Sequence, residues 1–448
     1  MTSITFAGAS GEVTGSSFYV KSDKHNYLVD CGIFQGHNKS GLNSEPFIYD
    51  PKSIDAVIIT HAHMDHIGRL PKLVKDGYNG DIYMTSATAE LGKIVLKDAY
   101  NVMVSNAQRN QEDPFYDEQD VNRALALVKT VPYYQRHTLM DGDGFVLYDA
   151  GHILGSSSAL LDVDGKKIVF SGDIGHWPEP LLPAPSPPPS ADIVVMEATY
   201  GGRDHPNQDR MSVLKDALDW TMEKKGVLLI PAFALERSQE LLYLFHRLFE
   251  KYKYPRLPIF LDSPMAIDAL DVFYKHEELF SKEVKERCAD LHDIFSTRGL
   301  ALASTVAESK EINDEPPPKV IIAGSGMMEG GRIAYHLRRY LPNPNTYLLI
   351  VGFQAGGTLG KEIQSGVTNV RIMDSMTTIR AKVVSVENFS SHADNDELLD
   401  WVEGINGVKK LCIVHSDPEC AINFLKEIEQ GRPKITAEIA KYGETLEL

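Results

Sequence analysis

A layered α/β fold with its chemistry gathered at strand ends is predicted by three observations. β-branched apolar runs recur along the whole chain, Gly, Ser, His, Asp or Glu follows each at once, and helix-like segments lie between them. In chain order the runs are NYLVDCG, AVIITHAH, VLYDAGH, KIVFSGD, DIVVMEATYG, VLLIPAFA, PIFLDSPMA, KVIIAGSGM, YLLIVGFQ, AKVVSVENFSSHAD and KLCIVHSD. Their Val, Ile and aromatic content is that of strands. Ser238–Tyr252 and Arg332–Tyr340 carry helical spacing instead. Two proline clusters, Leu181–Ser190 and Glu315–Lys319, each lead into a strand and read as extended surface connectors.

A chain of 448 residues with 43% hydrophobic content buries substantial cores, and its length predicts two or three domains. No apolar stretch approaches the roughly 20 residues that span a bilayer, and MTSITFAGAS has no basic region followed by an apolar one. The expected compartment is the cytoplasm. The four cysteines, Cys31, Cys288, Cys412 and Cys420, form no CxxC pair, so they read as reduced and mostly buried, and not as disulfides or thiolate ligands. A net charge of −17, from 45 basic and 62 acidic residues, argues against coating nucleic acid by bulk electrostatics. It leaves room for a nuclease, because bound metals and a few arginines dominate the field inside a cleft once distant charges are screened beyond about 10 Å.

The densest signal is SIDAVIITHAHMDH, where a strand-like run ends in a cluster holding three of the fifteen histidines within six residues. Imidazole nitrogens and carboxylate oxygens are zinc ligands. His61 with His63 and Asp65 with His66 offer two ligand pairs, hence two metals. Collecting the other strand-end groups adds Asp30, His152, Asp173, Glu197, His392 and His415. His61, His63 and His152 can give three nitrogens to one ion; Asp65, His66 and His415 can serve a second, with Asp173 bridging both and room left for a bridging hydroxide. Two ions roughly 3.5 to 4 Å apart lower the pKa of shared water and brace a hydrolytic transition state.

LVDCG, THAHMDHIG, AGHILGSS and FSGDIG resemble the first four motifs of the metallo-β-lactamase superfamily. MEATYG, LDSPMA, GSGMMEGG, GFQAGGTLG, FSSHAD and IVHSDPE resemble, in order, the further motifs of its β-CASP nucleases, and KYGETLEL their closing strand. The resemblance covers essentially the whole chain. It implies a four-layer αββα metallo-β-lactamase domain over residues 1–205 and 376–448, interrupted by an α/β β-CASP domain over 206–375. It makes Glu197 the acid of motif A and His392 and His415 the histidines of motifs B and C. His392, oriented by Glu197, would then protonate the leaving 3′ oxygen as general acid, with Asp65 a further member of the catalytic set. Asp30 would orient a ligand and not bind metal. Histidine at motif C is the pattern of the RNA-processing branch, so the implied activity is a ribonuclease holding two Zn2+ (Mn2+ the alternative), acting on RNA and leaving 5′-phosphate and 3′-hydroxyl ends. A DNA nuclease and a catalytically silent RNA-binding subunit are the rivals, and the resemblance is compatible with a homodimer. In extent the chain resembles the minimal bacterial or archaeal form.

GSGM at Gly324–Met327 lies between a strand and a helix, so Ser325, Gly326 and Met327 can form an anion nest for a substrate phosphate or simply a tight turn. Arg332 is the candidate cation beside it; Arg237, Arg338 and Arg339 are further candidates, and His336 reads as a surface or packing residue. Ser416 and Asp417 stand where the family usually has Gly-Glu after motif C, and FSSHAD replaces FSGHAD or FSAHAD.

Overall fold

The computed structural model describes residues 2–36, 40–110, 113–287, 294–431 and 434–448. Cys288 lies outside them; Cys31, Cys412 and Cys420 are buried and unpaired with each other. The chain divides into two compact units, Met1–Asp204 with Ser391–Leu448, and His205–Ser390. Every apolar run named above contains a strand.

The first unit holds two seven-stranded sheets. One runs Thr445–Glu447, Ser3–Phe6, Phe18–Lys21, Asn26–Val29, Ala56–Ile58, Asp81–Met84, Val128–Thr130, its last four strands parallel. The other runs Thr436–Ile439, Lys410–Val414, Ile193–Glu197, Lys166–Phe170, Ser157–Val163, Gly144–Asp149, His137–Thr138, its first four strands parallel. Ile4, Phe6, Val29 and Ile58 of one sheet share a core with Leu161, Phe170, Val195 and Val414 of the other, and the Phe18 and Phe170 rings stack at 5.6 Å. The alternate residues of the same strands, Val194, Met196, Leu411 and Ile413, face away and pack on Leu398 and Trp401 of the helix Asn395–Glu403 and on Phe424 and Ile428 of Pro418–Gly431. A strand covered on both faces is apolar throughout, which is why these runs lack polar alternation. The helices Leu70–Lys75, Ser86–Asn110 and Glu118–Ala126 pack together beside the first sheet. The order is αββα.

The second unit is a six-stranded sheet in the order Leu300–Leu302, Ile259–Asp262, Lys319–Ala323, Val227–Pro231, Thr346–Ile350, Lys382–Ser385, parallel throughout. Its last strand comes from beyond the position where the sequence places the return to the first domain. Leu229, Ile321, Leu348 and Ile350 pack on Ile333 and Leu337 of the helix Gly331–Tyr340. Among the described residues no helix is long and apolar enough to cross a membrane.

Candidate metal centre

All the expected ligands lie in the first unit, at one end of its parallel strands. Asp30 and His61 follow the neighbours Asn26–Val29 and Ala56–Ile58. Asp173, Glu197 and His415 close the adjacent strands Lys166–Phe170, Ile193–Glu197 and Lys410–Val414, whose parallel register sets Glu197 beside Val414. His63 caps the one-turn helix Met64–Ile67, which carries Asp65 and His66. His152 sits in a turn fixed by the Ser156 hydroxyl oxygen, which accepts from the His152 N–H at 3.0 Å and the Ile153 N–H at 3.2 Å. The helix after His392 starts from a reciprocal cap between Asp394 and Glu397. Any side chain on Gly32 would strike the backbone at Asp65 and His66, where the Cys31 N–H donates to the His66 carbonyl at 2.7 Å.

These residues converge in three groups, each with its donor atoms within 4.8 Å of one another: His61, His63, His152 and Asp173; Asp65, His66 and His415; Asp173, Glu197 and His392. His63 Nδ1 lies 3.0 Å from His61 Nε2 and 3.2 Å from His152 Nε2. Asp173 Oδ2 lies 3.5 Å from His61 Nε2 and 3.6 Å from His152 Nε2. Ligands about 2.0–2.2 Å from a tetrahedral ion are about 3.3–3.6 Å apart, so this spacing is that of one coordination shell. On its other side Asp173 Oδ1 is 3.3 Å from His66 Nε2, and His415 Nε2 is 3.5 Å from Asp65 Oδ2. Asp173 Oδ1 is buried and forms no hydrogen bond, although histidine nitrogens face it.

A buried hydroxyl supports each group. Asp30 accepts from the Thr60 N–H at 2.8 Å and the Thr60 hydroxyl at 2.9 Å, and its Oδ2 is 2.8 Å from His66 Nδ1. Thr60 Oγ1 also meets His61 Nδ1 at 3.1 Å. Asp30 thus fixes the ring whose other nitrogen faces Asp173, the arrangement that orients a metal-binding histidine. Glu197 accepts from the Ile174 N–H at 2.6 Å, and His392 Nδ1 lies 3.1 and 3.2 Å from its two oxygens. The Thr199 hydroxyl donates to Glu197 Oε2 at 2.5 Å and lies 3.2 Å from His415 Nδ1. Neither threonine stands out in the sequence as a site residue, yet both lie inside the motifs, Thr60 directly before His61 and Thr199 two residues after Glu197 on the same side of the chain.

The electrostatics match a metal site. Burial, aided by neighbouring imidazoles, holds His61 and His152 well below the usual histidine value and His63 down to about 4. Those three are neutral, as ligands must be. Burial opposes ionisation of Asp65 and Asp173, but the facing histidines outweigh it and hold both carboxyls low. Around the second group the balance reverses. Despite burial, Asp173 and Asp30 lift His66 well up, and Asp173 and Asp65 lift His415. The carboxylates there favour positive charge, the charge a cation would bring. His392 is half-buried, and although desolvation opposes its charge, the Glu197 charge and hydrogen bond raise it to about 9. The donor types, spacing and charge fit a divalent metal.

The second unit carries the phosphate candidates. Ser325 Oγ donates to the Glu329 carbonyl at 3.0 Å, and the Gly326 carbonyl accepts from Gln354 Nε2 at 3.0 Å. Arg332 donates to Asp262 at 2.7 Å and to the carbonyls of Thr305 and Ser304, so its charge is already partnered. His336 is buried, with its Nε2 2.7 Å from Asp262. Arg237 is buried against Glu240, whereas Arg338 and Arg339 are exposed.

A family model described as the metallo-beta-lactamase superfamily matches residues 10–219. Models described as the Beta-Casp domain and the Zn-dependent metallo-hydrolase RNA specificity domain match 238–363 and 377–440. The chain is 39% identical to ribonuclease TTHA0252 of Thermus thermophilus over 98% of each chain. It is 31% identical to an RNase J-like protein of Methanocaldococcus jannaschii over 96% of each. With the transcription termination factor FttA of Pyrococcus abyssi the identity is 30%, over 95% of this chain and 68% of the factor. A crystal structure of a protein of unknown function from Enterococcus faecalis V583 superposes with a TM-score of 0.53 at 11% identity over 99% of both chains, a likeness of fold.

Proposed function

Because the chain belongs to the metallo-β-lactamase superfamily and, within it, to the β-CASP ribonucleases, we propose that it hydrolyses RNA with a pair of zinc ions, leaving 5′-phosphate and 3′-hydroxyl ends. The observation that carries this reading is the place of Asp173, a member of two of the three groups with its two oxygens facing His61 and His152 on one side and His66 of the remaining group on the other. His61, His63 and His152 would hold one ion and Asp65, His66 and His415 the other, with Asp173 available to both. When bound, the metal supplies an activated water and offsets charge developing on the phosphate.

The remaining steps belong to side chains. Asp30 and Thr60 hold His61 and His66 in one tautomer and orientation. Glu197 engages and orients His392 through Nδ1, and His392 delivers a proton. As water adds to phosphorus and the P–O3′ bond breaks, that proton goes to the departing 3′ oxygen and prevents expulsion of an alkoxide. Ser325, Gly326 and Met327 contact a substrate phosphate through backbone N–H groups, while Arg332, tied to Asp262, braces that loop's following helix. The enzyme works in the cytoplasm.

The test is cleavage of matched end-labelled RNA and DNA oligonucleotides by zinc-loaded and manganese-loaded protein, with His392→Ala as control. RNA cut into 5′-phosphorylated products by wild type and not by the variant is expected. Equal or faster cleavage of DNA, or an intact substrate with both metals bound, would overturn the reading.

A further inference from the structure

We infer that Thr199 is a positioning residue through which one carboxylate, Glu197, sets both the proton donor His392 and the second-metal ligand His415. The inference rests on the ribonuclease reading for its catalytic meaning, and on geometry for its existence. The Thr199 hydroxyl has one proton, and its shortest contact, 2.5 Å, is to Glu197 Oε2. The Thr199 N–H reaches the same oxygen at 3.2 Å, so the carboxylate and the threonine form one closed unit. With its proton given to Glu197, the hydroxyl oxygen can only accept from His415 Nδ1, 3.2 Å away. That fixes the Nδ1–H tautomer of His415 and turns the Nε2 lone pair toward the side where Asp65 Oδ2 lies, 3.5 Å off. His392 Nδ1 meets Glu197 directly, at 3.1 Å. A continuous chain therefore runs from His392 through Glu197 and Thr199 to His415, with all four residues inside one unit.

The backbone needs this support. His415 has a left-handed φ of 45°, a conformation that is strained for a residue with a side chain. Its N–H donates to the Ala9 carbonyl at 2.6 Å, which anchors the main chain but leaves the ring to be oriented by its own partner. Ser416 follows it, buried. Thr199 supplies the orientation that the backbone does not.

The experiment compares zinc content and affinity, with Zn2+ alone as the probe, for wild type, Thr199→Val, Thr199→Ser, Glu197→Ala and His392→Ala after equilibration in zinc-buffered solution. Loss of a hydrogen-bond partner behind a ligand costs about 10- to 100-fold in metal affinity. Thr199→Val should hold its second ion weaker by that factor, Thr199→Ser should keep wild-type affinity, and Glu197→Ala should weaken the same ion while His392→Ala leaves it. Two ions held at wild-type affinity by Thr199→Val would overturn the inference, as would equal weakening of Val and Ser variants. If circular dichroism shows Thr199→Val unfolded, an undisturbed second ion in Glu197→Ala overturns it instead. Wild-type protein that binds two ions yet leaves RNA intact would sink the ribonuclease reading and leave these affinity comparisons standing.

Discussion

Replacing His392 by alanine separates proton delivery from metal binding. His392 stands outside the two histidine groups proposed as ligands, and its Nδ1 lies 3.1 Å from Glu197. Burial disfavours its charge but Glu197 more than compensates, and the ring titrates at about 9. At that value the donor form outnumbers the neutral one by about a hundred to one at pH 7. Cations beside Asp65 and Asp173 lower the figure, so the alkaline limb of the wild-type rate profile should fall at or below pH 9. General acid catalysis is worth about 10²–10⁴ in rate, or about 2.7–5.5 kcal/mol of barrier. His392→Ala should lose that much on ordinary RNA, keep two metals and lose the alkaline limb. An RNA with sulfur in place of the scissile 3′ oxygen leaves as a thiolate without needing a proton. On it the variant should cleave nearly as fast as wild type, read by single-turnover gel assay in the same metal. Equal losses on both substrates, or a missing metal, would refute the argument.

His415→Ala should leave one tightly held ion per chain by elemental analysis, with cleavage falling in step. Chelation should abolish cleavage; add-back of Zn2+ or Mn2+ in turn identifies the working ion by which restores the rate at stoichiometric loading. Burial pushes the Asp149 carboxyl up to about 6 from 3.8, against one hydrogen bond from the Gly151 N–H. The folded state therefore holds a proton that the unfolded chain releases, so this contribution is present below about pH 4 and lost as pH rises through 6. Asp149→Asn should raise thermal stability at pH 7 by up to about 3 kcal/mol and flatten its dependence between pH 4 and 6; an unchanged melting profile would remove the assignment. Phe170→Ala empties part of the inter-sheet core and should cost about 3–5 kcal/mol in denaturant unfolding, with a smaller loss indicating that the sheets close over the gap.

The legible part of this molecule was the part where local sequence and tertiary role coincide. A strand such as Ile193–Glu197 is buried on both faces, so its continuous apolar run is visible without knowing its neighbours. Its terminal Glu197 is visible as the polar break. Short half-covered strands such as Phe18–Lys21 and Val128–Thr130, and the long helix Ser86–Asn110, carry no such contrast. Among site residues, histidines and aspartates announce themselves by type. Thr60 and Thr199 do not, because a threonine at a strand end is ordinary and its meaning lies in partners up to 216 positions away. Arg332 shows the converse: a cation beside a glycine loop suggests phosphate, but Asp262, invisible as its partner in sequence, occupies it.

The strand that delivers His415, Lys410–Val414, slots between Ile193–Glu197 and Thr436–Ile439, some 350 positions after Asp65. On the proposed ligand set, Asp65 and His66 wait on a strand some 350 positions further along before the second group is complete. Chains fold progressively from their N-terminus as they emerge, so the histidines of residues 61–66 exist for much of synthesis without the partner that completes them. On that ligand set the second group closes only once Lys410–Val414 has docked beside Ile193–Glu197, so completion of the sheet and completion of the site are one event.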